Sequence, residues 1–167
     1  WHFDRAPAAE ESPLVAALFS ADADVESVLL DGPRVVITRK AKYNRDWKPL
    51  AQTVGVALRA QLESGQSVLS EALKAKRLTD DEIRQRIQMV IDNEVNPGVA
   101  GHGGQVSIVK IENNAVTVNM GGGCQGCSSA AVTLKGGIER SFRQAVPTLG
   151  ALHDATDHSA GTNPFFT

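Results

Sequence analysis

The chain has 167 residues, of which 42% are hydrophobic, 22% are charged and only 5% are aromatic. This is the composition of an ordinary globular protein, and it excludes the collagen-like, disordered and disulfide-rich classes. Its 17 basic and 19 acidic residues give a formal charge of -2, which lacks the basic excess of a nucleic-acid-binding protein. With so few aromatic residues to fill one large core, we expect two small domains.

The sequence contains no segment that predicts a membrane anchor or a signal peptide. The longest apolar runs are far shorter than the roughly 18 residues needed to span a bilayer, and the N-terminus lacks a charged-then-apolar pattern. We therefore expect a protein of the bacterial cytoplasm or of an organellar matrix. Because the chain begins without Met, we also expect that it starts inside a longer gene product or after processing.

The first half of the chain predicts a small α-β-β-α domain, assigned to residues 1–63. A helix should begin at Ser12-Pro13, an N-cap followed by the residue best tolerated at the first helical position. Two apolar segments at 25–30 and 34–39 then predict a hairpin, because Asp31-Gly32 between them favours a tight turn.

A second helix is predicted after this hairpin. Apolar residues recur every three or four positions from Trp47 to Leu62, the spacing that places one apolar stripe on a helix. We therefore expect Trp47 to pack in the core of this domain. The polar, glycine-containing stretch that follows predicts a linker at residues 64–79.

The second domain is predicted over residues 80–167 and begins with a helix. Thr79 and Glu82 have the spacing of a capping box, and apolar residues on one face continue as far as Val95. We expect Asn96-Pro97-Gly98 to end this helix, because proline and glycine interrupt helical hydrogen bonding.

The remainder of this domain predicts a second hairpin, a helix and a short strand. The β segments 106–111 and 116–120 are joined by Glu112-Asn113-Asn114. Apolar residues at helical spacing then extend from Ala131 to Pro147, and residues 149–156 fit a last strand. The predicted fold class is α+β, with two small domains that each pack a short antiparallel sheet with helices.

Both cysteines of the chain, Cys124 and Cys127, lie in a glycine-rich loop between the second hairpin and the last helix. We expect both sulfurs to point outward from this loop. Four interpretations compete: a thiol-disulfide redox pair, half of a zinc site, half of an iron–sulfur site, and two small core residues. The last is uncommon in such a loop, where glycines let the backbone approach another group closely.

The redox and zinc interpretations each have a requirement that the sequence meets poorly. A thioredoxin-type pair opens a helix after a strand of a parallel β-α-β unit, whereas the strands before Cys124 predict a hairpin. A zinc site would need two further ligands, for which His102, His153 and His158 are candidates. None of them has the short spacing of a zinc finger, and a lone His more often forms hydrogen bonds in the core or at the surface.

An iron–sulfur cluster usually takes four thiolates, and this chain has two. The site would therefore require a second copy of the chain, related by a two-fold axis, or an outside ligand. Gly122, Gly123 and Gly126 would let backbone N–H groups approach the anionic cluster, and the N-terminus of the next helix would favour thiolate. A cluster held by two exposed loops is easily passed on, which is a property of a carrier.

From Asn96-Pro97 to Pro164 the chain closely resembles the C-terminal domain of the NifU-like (Nfu) iron–sulfur scaffold and carrier family. The resemblance is carried by His102-Gly103-Gly104, Gly121-Gly122-Gly123-Cys124-Gln125-Gly126-Cys127, Val132-Thr133-Leu134-Lys135, Gly137-Ile138-Glu139 and Asp157-His158-Ser159-Ala160-Gly161-Thr162-Asn163-Pro164. The first half resembles the family's separate N-terminal domain through Ser12-Pro13-Leu14, Ala17-Leu18-Phe19, residues 25–28 and Asp46-Trp47. Together the two regions cover nearly all of the chain.

The resemblance implies a protein that is not an enzyme, in which Cys124 and Cys127 ligate a [4Fe–4S] cluster shared by two protomers. It implies a homodimer on cluster binding and an N-terminal domain that selects partners. The partners would be apo iron–sulfur client proteins and an upstream assembly scaffold, with no nucleic acid and no membrane. Nothing before Phe3 matches the strand with which the family's N-terminal domain usually begins, so we expect that strand to be missing.

Three further expectations concern individual residues of the loop region. His102 should lie near the cysteine loop, either beside the cluster ligands or only as a turn residue before Gly103. Gly104 is expected to be a tight-turn residue. Since the loop lies outside both apolar stripes, replacing Cys124 or Cys127 by Ala should leave the apo-fold nearly intact.

The alternative functions are a thiol-disulfide oxidoreductase with Cys124 as nucleophile and a zinc-stabilised binding module.

Overall fold

The computed structural model describes residues 1–40, 46–125 and 135–160. The chain divides into two compact units, Trp1–Arg77 and Leu78–Thr167. Each unit contains a three-stranded sheet together with helices, so the predicted α+β fold class is confirmed. In the parts of the chain that the structure describes, every helix is too short or too polar to cross a membrane.

The first unit packs an antiparallel sheet of order β1-β2-β3 with helices. The elements are β1 (His2–Phe3), α1 (Pro13–Ala21), β2 (Val25–Asp31), β3 (Arg34–Arg39), α2 (Trp47–Glu63) and α3 (Glu71–Ala75). The buried core consists of Leu14, Val15, Leu18, Val25, Val28 and Leu50. The sequence predicted no strand before Phe3, whereas in the structure the two residues of β1 pair with β2 and form one edge of the sheet.

Local chemistry explains the first elements of this unit. The Ser12 Oγ atom accepts a hydrogen bond from the Val15 N–H at 3.4 Å, and Pro13 occupies the first helical position of α1. This is the arrangement of an N-cap, which satisfies one of the N–H groups that have no partner within the helix. Gly32, with a φ of +56°, forms the turn between β2 and β3.

Trp47 does not pack in the core as the helical spacing predicted. Its side chain is 51% exposed, and the guanidinium carbon of Arg39 lies 5.0 Å from the centroid of its ring. Leu50 is buried, whereas Leu62 at the other end of the same stripe is exposed. The apolar stripe of α2 is therefore longer than the surface available to cover it, and its two ends remain in contact with solvent.

The segment predicted to be a linker, residues 64–79, contains α3 and is bonded to the first unit. The Ser12 Oγ atom donates a hydrogen bond to the Val68 carbonyl at 2.7 Å. The Lys76 ammonium forms an ion pair with Glu11 at 2.8 Å. The division into compact units assigns this segment as far as residue 77 to the first unit. The boundaries proposed for the domains stay a prediction.

The second unit packs a sheet of order β4-β5-β6 with helices. The elements are α4 (Asp80–Val90), a π-helical turn (Ile91–Val95), α5 (Asn96–Ala100), β4 (Gly104–Glu112), β5 (Ala115–Gly122), α6 (Lys135–Ala145), β6 (Leu152–Asp154) and a 3₁₀ turn (His158–Ala160). The core includes Ile83, Ile87, Ile91, Val106, Val116, Met120 and Phe142. Asn113 and Asn114 both have positive φ angles and connect β4 to β5, which are antiparallel as predicted.

The last strand pairs in a way that the sequence analysis did not anticipate. β6 runs parallel to β5, with Val116 opposite Leu152, so β5, α6 and β6 form a β-α-β unit. Arg143 of α6 donates to the carbonyls of Leu149 and Gly150, at 2.6 and 3.0 Å, and so fixes the chain just before β6. The predicted hairpin was one argument against a thioredoxin-type pair, and the parallel neighbour of β5 weakens that argument.

The prediction that Asn96-Pro97-Gly98 ends the first helix of this unit is wrong. The chain stays helical to Ala100 because a π-helical turn precedes the proline. In that turn the Asn96 N–H donates to the Ile91 carbonyl, and Pro97 falls within the first turn of α5, where no N–H donor is needed. The helical path can therefore continue up to the loop that follows.

The capping box at the start of α4 is present as predicted. Thr79 Oγ1 accepts from the Glu82 N–H at 3.2 Å, and the Glu82 carboxylate accepts from the Thr79 N–H at 2.8 Å. These hydrogen bonds, first the one from the Thr79 backbone and then the one from its hydroxyl, lower the pKa of Glu82 below its ordinary value. The carboxylate stabilises the fold above the ordinary pKa of glutamate, and this contribution is lost as the pH falls through the lowered pKa.

We predict that Thr79→Ala lowers the free energy of unfolding by about 1 kcal/mol at pH 7, the usual cost of losing an N-cap hydroxyl. Thr79→Ser keeps the hydroxyl and should stay close to the parent protein. The difference in unfolding free energy between the parent and the alanine variant should become smaller in acid, because the protonated Glu82 carboxyl forms a weaker hydrogen bond with the Thr79 hydroxyl. Urea denaturation at several pH values measures both effects, and equal stability of all three proteins at pH 7 would contradict the prediction.

Candidate functional site

Two glycine-rich segments of the second unit pack backbone against backbone. The first, called the loop 100–104, runs from the last residue of α5 to the first residue of β4, and the second is the end of β5 with the following turn, residues 121–125. The Gly123 N–H donates to the Gly103 carbonyl at 3.0 Å. A Cβ atom on Gly122 would overlap with the Gly103 carbonyl oxygen, and one on Gly123 would overlap with that of His102. Only glycine allows this approach.

Cys124 lies inside this packing, contrary to the expectation that its sulfur points outward. Its side chain is 3% exposed and belongs to the hydrophobic core of the second unit. Gly104 adjoins the sulfur so closely that a Cβ atom at position 104 would overlap with Sγ, and the same Cβ would lie 3.2 Å from the Val99 Cβ. The turn at residues 121–125, which we call the cysteine turn, is therefore anchored by the buried thiol of Cys124.

Gly104 is accordingly not the tight-turn residue that the sequence predicted. It begins β4, and its neighbour Gly103 is the residue with a positive φ angle, of +66°. The space that the missing side chain of Gly104 leaves is needed for the thiol of Cys124. The adjacent glycines thus have different roles: Gly103 forms the turn and Gly104 makes room for the sulfur.

The backbone N–H groups around Cys124 are bonded within the protein. The Cys124 N–H donates to Gly121 at 3.4 Å, and the Gln125 N–H donates to Gly122 at 3.0 Å. Together with the bond from Gly123 to Gly103, these contacts use the donors of three successive residues. In this structure the Gly123 N–H is therefore used by the Gly103 carbonyl, and the expectation that N–H groups of this loop approach a cluster stays a prediction.

His102 lies beside the cysteine turn, as expected, but it is the backbone that makes the approach. Its carbonyl oxygen occupies the space where a side chain on Gly123 would be. The side chain of His102 is exposed. The backbone N–H of the same residue donates to the Val99 carbonyl at 3.0 Å. These contacts favour the interpretation of His102 as a turn residue.

The segment that begins at Asp154, the last residue of β6, runs along β5 toward the cysteine turn. The Ala155 N–H donates to the Val118 carbonyl at 2.9 Å, and Thr156 Oγ1 accepts from the Met120 N–H at 2.7 Å. Two residues before this threonine, Asp154 accepts from the Thr156 N–H at 2.9 Å. We call residues 154–159 the C-terminal strap.

The strap ends in a side-chain hydrogen bond to the cysteine turn itself. The Gln125 Nε2 atom donates to the Asp157 carbonyl at 2.9 Å, across 32 positions of sequence. Asp157 Oδ1 accepts from both the N–H and the hydroxyl of Ser159, at 3.0 and 2.6 Å, which orders the chain just beyond this carbonyl. The residue immediately after Cys124 is therefore tied directly to the strap.

One ionisable pair lies within the strap. The His158 Nε2 atom lies 3.0 Å from Asp154 Oδ2, and His158 Nδ1 is buried without a hydrogen-bond partner among the described residues. Burial by itself raises the pKa of Asp154, but the hydrogen bonds from Thr156 and His158 outweigh it, so this pKa lies below its ordinary value. Asp154 is thus held as an acceptor that fixes the turn between β6 and the 3₁₀ helix.

Several predicted site features fall outside the described residues. These are Cys127, Gly126 and the chain between the cysteine turn and α6, which begins at Lys135. The proposed effect of a helix N-terminus beside Cys127 therefore stays a prediction. Within residues 1–40, 46–125 and 135–160, no three or more His, Cys, Asp and Glu side chains come together in a group that could hold a metal ion.

Sequence reasoning missed the residues that join distant segments at this site. Asn96 accepts from the Val106 N–H at 2.8 Å and donates to the Val106 carbonyl at 3.2 Å, so it links the end of the helix to β4. Gln125 and Thr156 link the cysteine turn and β5 to the strap. No local sequence pattern identifies these three side chains, because each of them bonds to a group that is distant in sequence.

Comparisons with known proteins identify a family match within the second unit. Residues 87–151 match a family model described as NifU-like domain. The chain is 41% identical over 95 residues to Fe/S biogenesis protein NfuA of Teredinibacter turnerae, covering 56% of this chain and 49% of that protein. It is 43% identical over 88 residues to Fe/S biogenesis protein NfuA of Pseudomonas aeruginosa, covering 52% of this chain and 45% of that protein. The chain spans about half the length of the curated relatives it matches.

The packing of Gly104 against Cys124 predicts a change in thiol reactivity. In a Cys127→Ser background, Cys124 should react slowly with a thiol reagent such as DTNB because the turn covers it. Adding Gly104→Ala should raise the rate about tenfold or more, since steric strain of about 1.4 kcal/mol in the closed turn changes the opening equilibrium tenfold. Gly101→Ala is the matched control, because a Cβ atom there meets open space. Equal rates for both alanine variants would contradict the prediction.

Proposed function

We propose that this protein, whose residues 87–151 match the NifU-like domain, carries an iron–sulfur cluster and delivers it to apo-proteins. In this proposal Cys124 and Cys127 ligate a [4Fe–4S] cluster shared by two protomers of a homodimer. The cluster is cargo, so the protein acts as a scaffold or carrier and catalyses no reaction. Its partners are client apo-proteins and an upstream assembly scaffold, in a cytoplasmic setting.

The observation that carries the proposal is the position of Cys124 within the matched domain. The NifU-like match spans residues 87–151 and so includes both cysteines. Cys124 sits on a turn held by close backbone contacts, with one side covered by Gly104. Sulfur ligands on such a turn suit a cluster, since thiolates are the usual ligands of iron–sulfur clusters and two from each of two chains supply four.

The covered thiol adds a requirement to this proposal. A side chain that is 3% exposed can bind an external group only after the turn moves, because the thiol has almost no free surface. We propose that the turn opens when a cluster enters and closes over Cys124 when it leaves. This coupling protects the thiol in the empty protein, since reactivity of cysteines requires access as well as ionisation.

We predict that anaerobic reconstitution with iron and sulfide gives a brown protein with about four irons per dimer, the count that four thiolates imply. Cys124→Ala and Cys127→Ala should each abolish the bound iron and sulfide. The exposed Ser107→Ala is the control and should load normally. Size-exclusion chromatography under nitrogen should show a shift from monomer to dimer on loading of the parent protein.

The buried position of Cys124 corrects an earlier expectation about these variants. Cys124→Ala should cost about 1 kcal/mol of unfolding free energy, roughly that of one buried methylene-sized group. Circular dichroism must therefore show that the variant is folded before its lack of iron is interpreted. Normal loading of a folded Cys124→Ala protein would overturn the proposal.

The same experiment separates the alternatives. A colourless parent protein that reduces disulfides, with Cys124 as the nucleophile, would favour the oxidoreductase. The parallel pairing of β5 and β6 gives that alternative some structural basis. Zinc in the protein as purified, with unfolding on addition of a chelator, would favour the zinc-stabilised module.

A further inference from the structure

We propose that Gln125 is a positioning residue whose bond to the C-terminal strap holds the cysteine turn and slows release of the cluster. This inference rests on the proposed carrier function. The Gln125 side chain lies between the two cysteines in sequence, and its Nε2 atom donates to the Asp157 carbonyl at 2.9 Å. Movement of the turn therefore has to break or carry along this bond.

The strap is itself fixed to the sheet, so it can act as an anchor. β6 pairs with β5, and beyond β6 the Ala155 N–H and the Thr156 hydroxyl continue the contacts along β5 as far as Met120. Met120 directly precedes the glycines that lead into the cysteine turn. The strap thus lies along the last residues of β5. Beyond them, its Asp157 carbonyl accepts the hydrogen bond from Gln125 of the cysteine turn.

The buried thiol and the Gln125 bond hold the turn at adjacent residues. Cys124 is held from the side of the loop 100–104, where it packs against Gly104, and Gln125 is held from the side of the strap. Opening the turn to present Cys124 requires loss of the first contact in any case. The Gln125 bond can persist in the loaded state, where it limits the freedom of the ligand loop, and fewer accessible conformations favour the bound ligand.

The direction of the effect follows from this preorganisation. Without the bond, the turn samples more conformations and loses the cluster faster. One solvent-exposed hydrogen bond contributes a net free energy that corresponds to a change of up to about fivefold in a rate or equilibrium constant. Because two protomers would share one cluster, the loss of both Gln125 bonds should accelerate release by about fivefold to 25-fold.

The test compares the reconstituted parent chain and its variants by the rate at which they lose their cluster to an iron chelator such as bathophenanthroline disulfonate. Gln125→Met keeps the length of the side chain and removes the hydrogen-bond donor. The rate at which this variant loses its cluster should therefore rise by about fivefold to 25-fold. Gln125→Lys keeps a donor that can reach a carbonyl and should remain within about twofold of the parent protein. Gln144→Met is the matched control, on an exposed residue of α6.

A second variant tests the anchor independently of the turn. Thr156→Val removes the hydroxyl that accepts from Met120, so it should also accelerate loss, whereas Thr156→Ser should not. If the strap acts through Gln125, the double variant Gln125→Met/Thr156→Val should lose its cluster no faster than the faster single variant. A merely structural role would instead lower the thermal stability of the apo-protein and leave the release rate of fully loaded protein unchanged.

The outcomes distinguish this inference from the function on which it rests. A parent protein that binds no cluster would overturn the proposed function. A parent protein that loads about four irons per dimer, with release from Gln125→Met within twofold of its own rate, would overturn the role of Gln125 and leave the carrier function standing. Fast release from Gln125→Met with a normal rate for Gln125→Lys supports the inference.

Discussion

The close approach of two glycine-rich backbones is the constraint on which the candidate site depends. The His102 and Gly103 carbonyls fill the space that side chains on Gly123 and Gly122 would need, and the missing side chain of Gly104 leaves room for the Cys124 thiol. A turn placed in this way cannot move closer to the loop 100–104, because backbone atoms already fill that space. Presenting Cys124 therefore requires the turn to move away from this loop.

The rest of the second unit brings the two segments to this distance. The π-helical turn lets the helix pass Pro97 and continue to Ala100, and Asn96 bonds both backbone groups of Val106 in β4. These contacts fix the start of β4 relative to the end of the helix. Because β5 pairs with β4 up to Gly122, the cysteine turn is delivered to the loop 100–104 by the register of the hairpin.

The sequence predicted those features that depend on neighbouring residues. The capping box at Thr79, the turn at Gly32 and both hairpins follow local rules of hydrogen bonding and backbone conformation. Periodicity also located α2, yet it placed Trp47 in the core, because a pattern along one helix contains no information about how much of it a neighbouring element covers. The exposed ring is covered only in part, by Arg39.

Two of the features that were missed depend on partners far along the chain. The burial of Cys124 results from packing against Gly104, and the parallel pairing of β6 results from the path of the chain after α6. A glycine-rich loop around two cysteines is equally consistent with exposed sulfurs, so composition could indicate candidate ligands but not their accessibility. Under the proposed function this difference matters, because the cysteine turn must open before the thiol can bind a cluster. The free energy of opening weakens cluster binding, and closing of the turn favours release.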